Sequence, residues 1–253
     1  SSAASDVYKR QQTDLPEELV AQLVWKKMEK RPVQISLHRG ASRYMPENTM
    51  PAFDKAIRMG ADFIEFDTRA AGDGHCFLLH DGELKRTTNG TGLIATTASA
   101  VVAMLDAGSW FGRPYSGTPV PALDSFLMAV RGRVGLYLDA KSIEPQVLVA
   151  ALEKHGVVDR TVVYGAPKFL AELKAVRSSV RRMPPLRDLQ ALDEVARTIE
   201  PYAMDVRWET LSPELIRRCH ERGILVFSDA LGQHERIEDY LQAIRWVIDL
   251  IQT

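Results

Sequence analysis

The sequence has 253 residues, and 45% of them are hydrophobic, which is enough apolar material for one large core. The 32 lysines and arginines nearly balance the 33 aspartates and glutamates, so the net charge is -1 at pH 7. This balance argues against a protein that binds nucleic acid through bulk positive charge, and an anionic ligand would need a local site. Cys76 and Cys219 lie far apart and lack metal-ligand spacing, so no disulfide framework is predicted.

The N-terminal region is interpreted apart from the rest of the chain. Residues 1–12 are predicted to be a disordered or non-native leader, and residues 13–253 are predicted to form one domain. Apolar residues at helical spacing predict a helix from about Pro16 to Glu29, with the proline in its first turn. No apolar run approaches the ~20 residues that would span a bilayer, so no transmembrane segment is predicted. Two free cysteines fit the cytoplasm and the periplasm equally.

Short apolar runs alternate with helical stretches through the remainder of the sequence. Strands that alternate with helices predict a parallel sheet, and eight such repeats predict closure into an α/β fold, the TIM (β/α)8 barrel. The predicted strands are Val33–Leu37, Phe63–Phe66, Val134–Leu138, Thr161–Tyr164, Val180–Met183, Ala203–Val206, Ile224–Phe227 and Trp246–Ile251. The predicted helices include Thr49–Met59, Pro145–His155, Lys168–Val176, Leu189–Ile199, Pro213–Arg222 and Glu235–Ala243.

One further apolar run, Cys76–Leu79, does not fit this alternation. It follows Asp67 too closely for a parallel crossover, which needs about a dozen residues. With a Gly-Asp-Gly turn at residues 72–74, the two segments are instead predicted to form a hairpin. The region from about 70 to 122 is therefore predicted to be a small insertion after the second barrel strand.

Three carboxylates are predicted to meet at the rim of the barrel, where the strands end and where this fold builds its active sites. Glu65 and Asp67 are two residues apart on one strand, so strand alternation points both toward the barrel axis. Asp139 ends the next barrel strand. Three acidic oxygen donors suit one hard divalent cation, Mg²⁺ or Ca²⁺ with Mn²⁺ as a further option, better than they suit zinc. The alternative is a structural ion pair between one acid and a basic residue.

Two histidines and two cations are predicted at the same rim. His38 and His80 each follow an apolar run, and imidazoles titrate near neutral pH, so one could act as a base and the other as an acid. Arg39 and Lys141 could hold a phosphate and stabilise its charge, or could only neutralise the carboxylates. A lone histidine is more often structural, but the neighbouring acids favour catalysis here.

Three further positions are interpreted with alternatives. Glu47 precedes the first predicted barrel helix, Thr49–Met59, and could support the metal or an adjacent histidine, whereas Asn48 is interpreted as a helix cap. Trp110 lies in the insertion. It could pack against the carbon skeleton of a ligand or belong to the small core of the insertion itself.

Several motifs, taken in this order, resemble the glycerophosphodiester phosphodiesterase family. They are HRGAS (38–42), PENTMPAF (46–53), GADFIEFDTR (60–69) and LLHDGELKRTTNGTG (78–92). The resemblance implies a TIM barrel with an insertion after the second strand. It also implies metal-dependent hydrolysis of glycerophosphodiesters to glycerol 3-phosphate and an alcohol, by a mechanism that uses two histidines.

The family roles are carried over only where the motifs match. The roles implied are the acid/base pair His38 and His80, the metal ligands Glu65 and Asp67 with Asp139 as the third, the phosphate contacts Arg39 and Lys141, and Glu47 close to the metal. The sequence departs from the family at Asp139, where a glutamate is usual, and at residues 227–229, where an aromatic-Thr-x-Asn motif is usual. Family members also generally continue past the last strand with an aspartate and a closing helix, whereas this sequence stops at Thr253.

Two alternatives to this function are retained. A phospholipase-type enzyme of the same superfamily would act on intact lipid, and it would need an exposed apolar or basic loop near the rim, of which no strong example is found. A non-catalytic phosphodiester-binding barrel would not require both histidines and all the acids. The expected partner is therefore a small-molecule glycerophosphodiester and not a nucleic acid, and no oligomeric state is predicted.

Overall fold

The computed structural model describes residues 33–253, so the predicted leader and the predicted helix of Pro16–Glu29 lie outside the described residues. The strands, in chain order, are β1 (Gln34–Leu37), β2 (Phe63–Ala70), β3 (Cys76–Leu78), β4 (Gly135–Ser142), β5 (Thr161–Tyr164), β6 (Arg181–Met183), β7 (Pro185–Leu186), β8 (Ala203–Val206), β9 (Leu225–Asp229) and β10 (Leu250–Gln252). They are paired in the order β6-β5-β4-β2-β1-β10-β9-β8-β7, and β3 pairs with β2 outside this path. Every pair on the path is parallel.

The ring closes through a single stretch of chain that Pro184 divides into β6 and β7. The first part pairs with β5 and the second part pairs with β8. The backbone N–H of Tyr202 donates to the Arg182 carbonyl at 2.9 Å, and that of Asp205 donates to the Pro184 carbonyl at 3.0 Å. Proline has no N–H to donate, which interrupts the ladder at this point. The nine parallel segments thus occupy eight positions around the ring, and the predicted TIM barrel is confirmed.

Helices connect the strands on the outside of the barrel. They are α1 (Met50–Arg58), α2 (Ser99–Val102), α3 (Leu123–Val130), α4 (Pro145–Lys154), α5 (Pro167–Val176), α6 (Leu192–Ile199), α7 (Pro213–His220) and α8 (Ile237–Trp246). In α1, α4, α5 and α7 a proline occupies the first turn, where its missing N–H costs no helical hydrogen bond. The predicted helices lacked α3, which follows the insertion directly.

The last predicted strand is wrong at its start. The sequence predicts a strand from Trp246 to Ile251, but Trp246 is the final residue of α8 and β10 begins only at Leu250. Val247 takes a left-handed conformation with φ of 64°, and the N–H groups of Val247 and Ile248 donate back to carbonyls of the last helical turn. An apolar run that contains a helix end and a strand start cannot be divided by hydrophobicity alone.

Strand alternation separates the inside of the barrel from the layer under the helices. The interior cluster is formed by Phe63, Tyr137, Val162, Met183, Ala203, Phe227 and Leu250. Phe66 of β2 lies on the opposite face, where its ring is 4.5 Å from that of Phe126 in α3 and 6.5 Å from that of Phe53 in α1. With Phe63 inside and Phe66 outside, alternation directs Glu65 and Asp67 toward the barrel axis.

The insertion has a small core of its own. Strand β3 pairs antiparallel with β2, so the predicted hairpin is confirmed. The buried residues of this core are Ala71, Phe77, Leu79, Leu84, Ile94, Val102, Ala107 and Val120. The Tyr115 hydroxyl donates to the Tyr44 carbonyl at 3.3 Å, which joins the insertion to the loop after β1. Within residues 33–253, no helix combines the length and the apolar character needed to cross a membrane.

Candidate active site

Three carboxylates converge at the carboxyl ends of β2 and β4. Asp67 and Asp139 are register partners on these neighbouring parallel strands, and Glu65 lies two residues before Asp67. Each of the three offers an oxygen, and these oxygens all lie within 4.8 Å of one another. Glu65 and Asp67 are buried, with 3% and 1% of their surface exposed. We call these three residues the carboxylate cluster.

The electrostatics of the carboxylate cluster favour a bound cation. Burial, followed by the charge of Asp67, raises the pKa of Glu65 well above its ordinary value. Burial also raises the pKa of Asp139, although its hydrogen bond from Lys141 acts in the opposite direction. Buried like charges at this separation repel unless a proton or a cation lies between them. Closely spaced carboxylate oxygens of this kind are a donor set that a hard divalent ion can use.

Asn48 contacts the carboxylate cluster, a role that was not predicted from the sequence. Its Nδ2 donates to Asp67 Oδ2 at 2.8 Å, and the backbone N–H of Asp67 donates back to Asn48 Oδ1 at 3.1 Å. The interpretation of Asn48 as a helix cap is wrong, because Thr49 occupies the N-cap position of α1. Asn48 has a φ of 55°, a left-handed conformation that asparagine adopts more readily than most residues. The available indication was an asparagine inside the PENTMPAF motif.

The two predicted cations lie directly against the carboxylates. Lys141 Nζ is 2.5 Å from Asp139 Oδ2 and 3.4 Å from Asp67 Oδ1. Arg39 Nη1 donates to Glu47 Oε1 at 2.8 Å, while Arg39 Nε lies 3.4 Å from Asp67 Oδ2. Burial alone would lower the pKa of Lys141, but its ion pair with Asp139 raises the pKa overall. Both cations therefore neutralise carboxylates, and both are placed where a phosphate on the cluster would meet them.

The two predicted histidines lie at the same mouth of the barrel in different surroundings. Burial and the neighbouring Arg39 charge lower the pKa of His38 to about 4, against the opposing charges of Asp67 and Glu47. The His38 ring is therefore neutral at pH 7 and can accept a proton. His80 Nδ1 lies 2.7 Å from Asp81 Oδ1, and about a third of the His80 side chain is exposed.

A known family matches the part of the chain that carries this site. The model of the Glycerophosphoryl diester phosphodiesterase family matches residues 38–250. The chain belongs to this family. Its members are phosphoric diester hydrolases, so the resemblance inferred from the sequence motifs is confirmed.

Relatives and solved structures of the family agree with this membership. A glycerophosphodiester phosphodiesterase of Bacillus subtilis is 31% identical over 214 residues, which are 75% of this chain and 73% of the relative. The crystal structure of a glycerophosphodiester phosphodiesterase from Agrobacterium tumefaciens matches with a TM-score of 0.81 and 31% identity, over 87% of this chain and 95% of that chain. A phosphodiesterase from Oleispira antarctica, in complex with the product sn-glycerol-3-phosphate, matches with a TM-score of 0.79 and 25% identity, over 87% and 92% of the two chains.

Two more charged residues, Asp81 and Arg86, extend the site of this family member, and neither was given a role from the sequence. Asp81 contacts His80, and Arg86 of the insertion donates hydrogen bonds to both Asp81 and Glu47. Glu47 is thus bound by two arginines, Arg39 and Arg86. Burial acts to raise the pKa of Glu47, but the hydrogen bonds and charges of the two arginines lower it overall.

The opposite side of the mouth carries two acids that were also missed as site residues. Asp205 of β8 and Asp229 of β9 each lie two residues beyond an interior residue of the same strand. Burial, followed by the charges of Asp229 and Asp139, raises the pKa of Asp205 to about 7. Burial also raises the pKa of Asp229. Asp229 lies in the segment where the sequence departs from the family motif.

Trp110 does not join the carboxylate cluster through any described contact. Its Nε1 donates to the Ala107 carbonyl at 2.8 Å, and its ring packs edge-on against Phe111 at 5.6 Å. Its side chain remains exposed. These contacts correspond to the alternative in which Trp110 belongs to the insertion, and a ligand contact remains a prediction.

Proposed function

We propose that this protein hydrolyses glycerophosphodiesters to glycerol 3-phosphate and an alcohol, with a divalent cation and two histidines. The observation that carries the proposal is the carboxylate cluster at the barrel mouth, with His38 and His80 at the same mouth. Family membership supports the reaction class. The Bacillus subtilis relative is named for this activity, and the Oleispira antarctica structure holds the product glycerol 3-phosphate.

The carboxylate cluster would hold the cation. Glu65, Asp67 and Asp139 offer oxygen atoms only, which favours Mg²⁺ or Ca²⁺ and permits Mn²⁺. A bound divalent cation would offset the charge of the phosphodiester and polarise one of its oxygens. The raised pKa values of Glu65 and Asp139 support this assignment, because a cation would relieve the repulsion that produces part of those shifts.

The two histidines would move the protons. His38 is neutral at pH 7, so it is in the protonation state that can take a proton from the attacking water or glycerol hydroxyl. In its protonated form the His80 ring would donate its Nδ1–H to the Asp81 carboxylate, which orients the ring, and would give its Nε2 proton to the departing alcohol oxygen. The base would then activate the nucleophile, and the acid would protonate the leaving oxygen on the other side of the same phosphorus atom.

Arg39 and Lys141 would bind the phosphate. Each already lies within 3.4 Å of an Asp67 oxygen, so a phosphate at the carboxylate cluster would lie within reach of both cations. Lys141 would act as a point charge, while the flat guanidinium of Arg39 would present paired donors to two phosphate oxygens. Both charges would also stabilise the negative charge that develops during the reaction.

The test is a hydrolysis assay with purified protein on glycerophosphocholine and glycerophosphoethanolamine. Release of glycerol 3-phosphate is followed after EDTA treatment and again after Mg²⁺, Ca²⁺ or Mn²⁺ is added back. We expect EDTA to abolish release and one of these ions to restore it in the wild type but not in Asp67→Asn. Release that persists in EDTA would refute the metal assignment. Cleavage of an intact phospholipid, without cleavage of either glycerophosphodiester, would favour the phospholipase-type alternative.

A further inference from the structure

Arg86 forms a bridge between two loops of the active-site mouth. It lies in the insertion, 39 positions from Glu47, and donates to Glu47 Oε2 through Nη1 at 2.9 Å and to Glu47 Oε1 through Nη2 at 2.8 Å. Arg86 Nη2 also donates to Asp81 Oδ1 at 3.1 Å, and Nε donates to Asp81 Oδ2. The N–H groups of one guanidinium therefore donate hydrogen bonds to two carboxylates at the same time.

Each of these carboxylates has a second partner that belongs to the proposed catalytic set. Glu47 Oε1 accepts from Arg39 Nη1 at 2.8 Å, and Asp81 Oδ1 lies 2.7 Å from His80 Nδ1. A continuous chain of hydrogen bonds thus runs from Arg39 through Glu47, Arg86 and Asp81 to His80. The two ends of this chain are a proposed phosphate ligand and a proposed proton donor.

We propose that Arg86 is a positioning residue, which fixes His80 and Arg39 relative to each other by holding Asp81 and Glu47. The inference rests on the proposed function, since it assigns Arg86 a role in that reaction. Without Arg86, Asp81 loses the partner that orients it toward His80, and Glu47 keeps only Arg39. The His80 ring then samples more orientations, and fewer encounters with bound substrate are productive.

The surroundings of Arg86 separate this role from a role in folding. The His80 backbone is held independently, because Arg69 Nε donates to the His80 carbonyl at 2.7 Å. The turn that carries Arg86 is anchored by the buried Leu84 and by Thr88, whose hydroxyl donates to the Leu84 carbonyl at 2.6 Å. The Arg86 side chain itself is 42% exposed, so truncation leaves no buried cavity. Loss of Arg86 should therefore affect side-chain orientation more than the stability of the fold.

The test compares Arg86→Ala with Arg86→Lys and with a matched control. Arg133 pairs with Asp54 at 3.0 Å and is 44% exposed. Arg133→Ala therefore removes an ion pair of similar exposure that has no part in the proposed reaction. With the activating ion at saturation, we expect Arg86→Ala to lower kcat for glycerophosphocholine by about 10–100-fold, as for other residues that orient a functional group. KM should change by less than about 3-fold. Arg86→Lys should recover only part of kcat, because a lysine ammonium cannot donate paired hydrogen bonds to both carboxylates as the guanidinium does.

Several outcomes would overturn the inference. They are an unchanged kcat in Arg86→Ala, a loss confined to KM, and an equal loss of kcat in Arg133→Ala. A fall in kcat matched by a large fall in Tm would also contradict it, because Arg86 would then act through folding.

A second measurement does not depend on turnover. In protein labelled with ¹⁵N-histidine, the His80 ring signals are assigned by their absence in His80→Gln. We expect Arg86→Ala to shift these signals and Arg133→Ala to leave them unchanged. Identical His80 signals in Arg86→Ala and wild type would refute the positioning role. If the wild type hydrolysed no glycerophosphodiester, the proposed function would fail, and the ring signals would still decide whether Arg86 positions His80.

Discussion

The two halves of the barrel mouth differ in how their charges are compensated. In the half built by β1, β2 and β4, Glu65 accepts the Arg39 N–H, Asp67 is bound by Asn48, and Asp139 pairs with Lys141. In the half built by β8 and β9, the carboxylates of Asp205 and Asp229 make no ion pair within residues 33–253. The carboxylates of the first half are therefore oriented by these contacts, whereas the two acids of the second half have no basic side chain within ion-pair distance among the described residues. We therefore expect substitutions in the first half to change turnover and substitutions in the second half to change mainly stability.

The largest expected effect is at the two histidines. His38→Ala and His80→Ala should each lower kcat by about 10²–10⁴-fold, the usual contribution of a general acid or base. His220 is a matched control for His80, because it also lies 2.7 Å from an aspartate oxygen and is 33% exposed, against 32% for His80. Steady-state hydrolysis of glycerophosphocholine measures all three variants. Near-normal kcat in both His38→Ala and His80→Ala, or an equal loss in His220→Ala, would contradict the proposed mechanism.

The next effect concerns the amide that holds Asp67. Removal of the Asn48 side chain should weaken the binding of the activating ion by about 10–100-fold, because Asp67 loses the group that orients it. Titration of hydrolysis with the ion measures this. Asn48→Ala and Asn48→Gly both remove the amide, but only alanine is strained at a φ of 55°. Equal losses in the two variants would support the hydrogen bond as the cause, and a loss in alanine alone would assign the effect to backbone strain.

The smallest expected effect on turnover is at Asp205. We expect Asp205→Asn to change kcat by less than about 3-fold, because Asp205 lies outside the carboxylate cluster. This change is much smaller than the loss expected when a general acid or base is removed. If hydrolysis depends on metal and substrate concentration in the same way in Asp205→Asn and in the wild type, the proposed difference between the two halves of the mouth is supported. A loss of kcat as large as that of His80→Ala would break it.

Asp205 should instead influence stability in a way that depends on pH. Its pKa is raised to about 7 in the folded protein, so the folded state holds this proton more tightly than the unfolded state does. The resulting penalty on the folded state is absent near pH 4, grows as pH rises, and is complete above about pH 7. Asp205→Asn should therefore raise the free energy of unfolding at pH 8 by about 4 kcal/mol, with little change near pH 4. Urea unfolding at the two pH values measures this, and an equal effect at both would contradict the raised pKa.

Most of the residues that the sequence identified for the site lie in short, ordered motifs. His38 and Arg39 are adjacent, and Glu65 and Asp67 are separated by one residue, so strand alternation was enough to predict that both acids point inward. Asn48 was within the same motifs but was assigned a local capping role. Its actual partner, Asp67, is 19 positions away, and no local pattern indicates such a partner.

The sequence by itself determined the class of fold and the family, because apolar periodicity and ordered motifs depend on near neighbours along the chain. The tertiary structure alone decided which further polar groups meet those that the motifs had already identified. Arg86 reaches Glu47 across 39 positions, Asp205 of β8 interacts with the charge of Asp139 on β4, and Pro184 lets one stretch of chain close the ring. The physical reason is that a hydrogen bond or a pKa shift depends on distances between atoms, and closure of the barrel brings together groups that are remote in sequence.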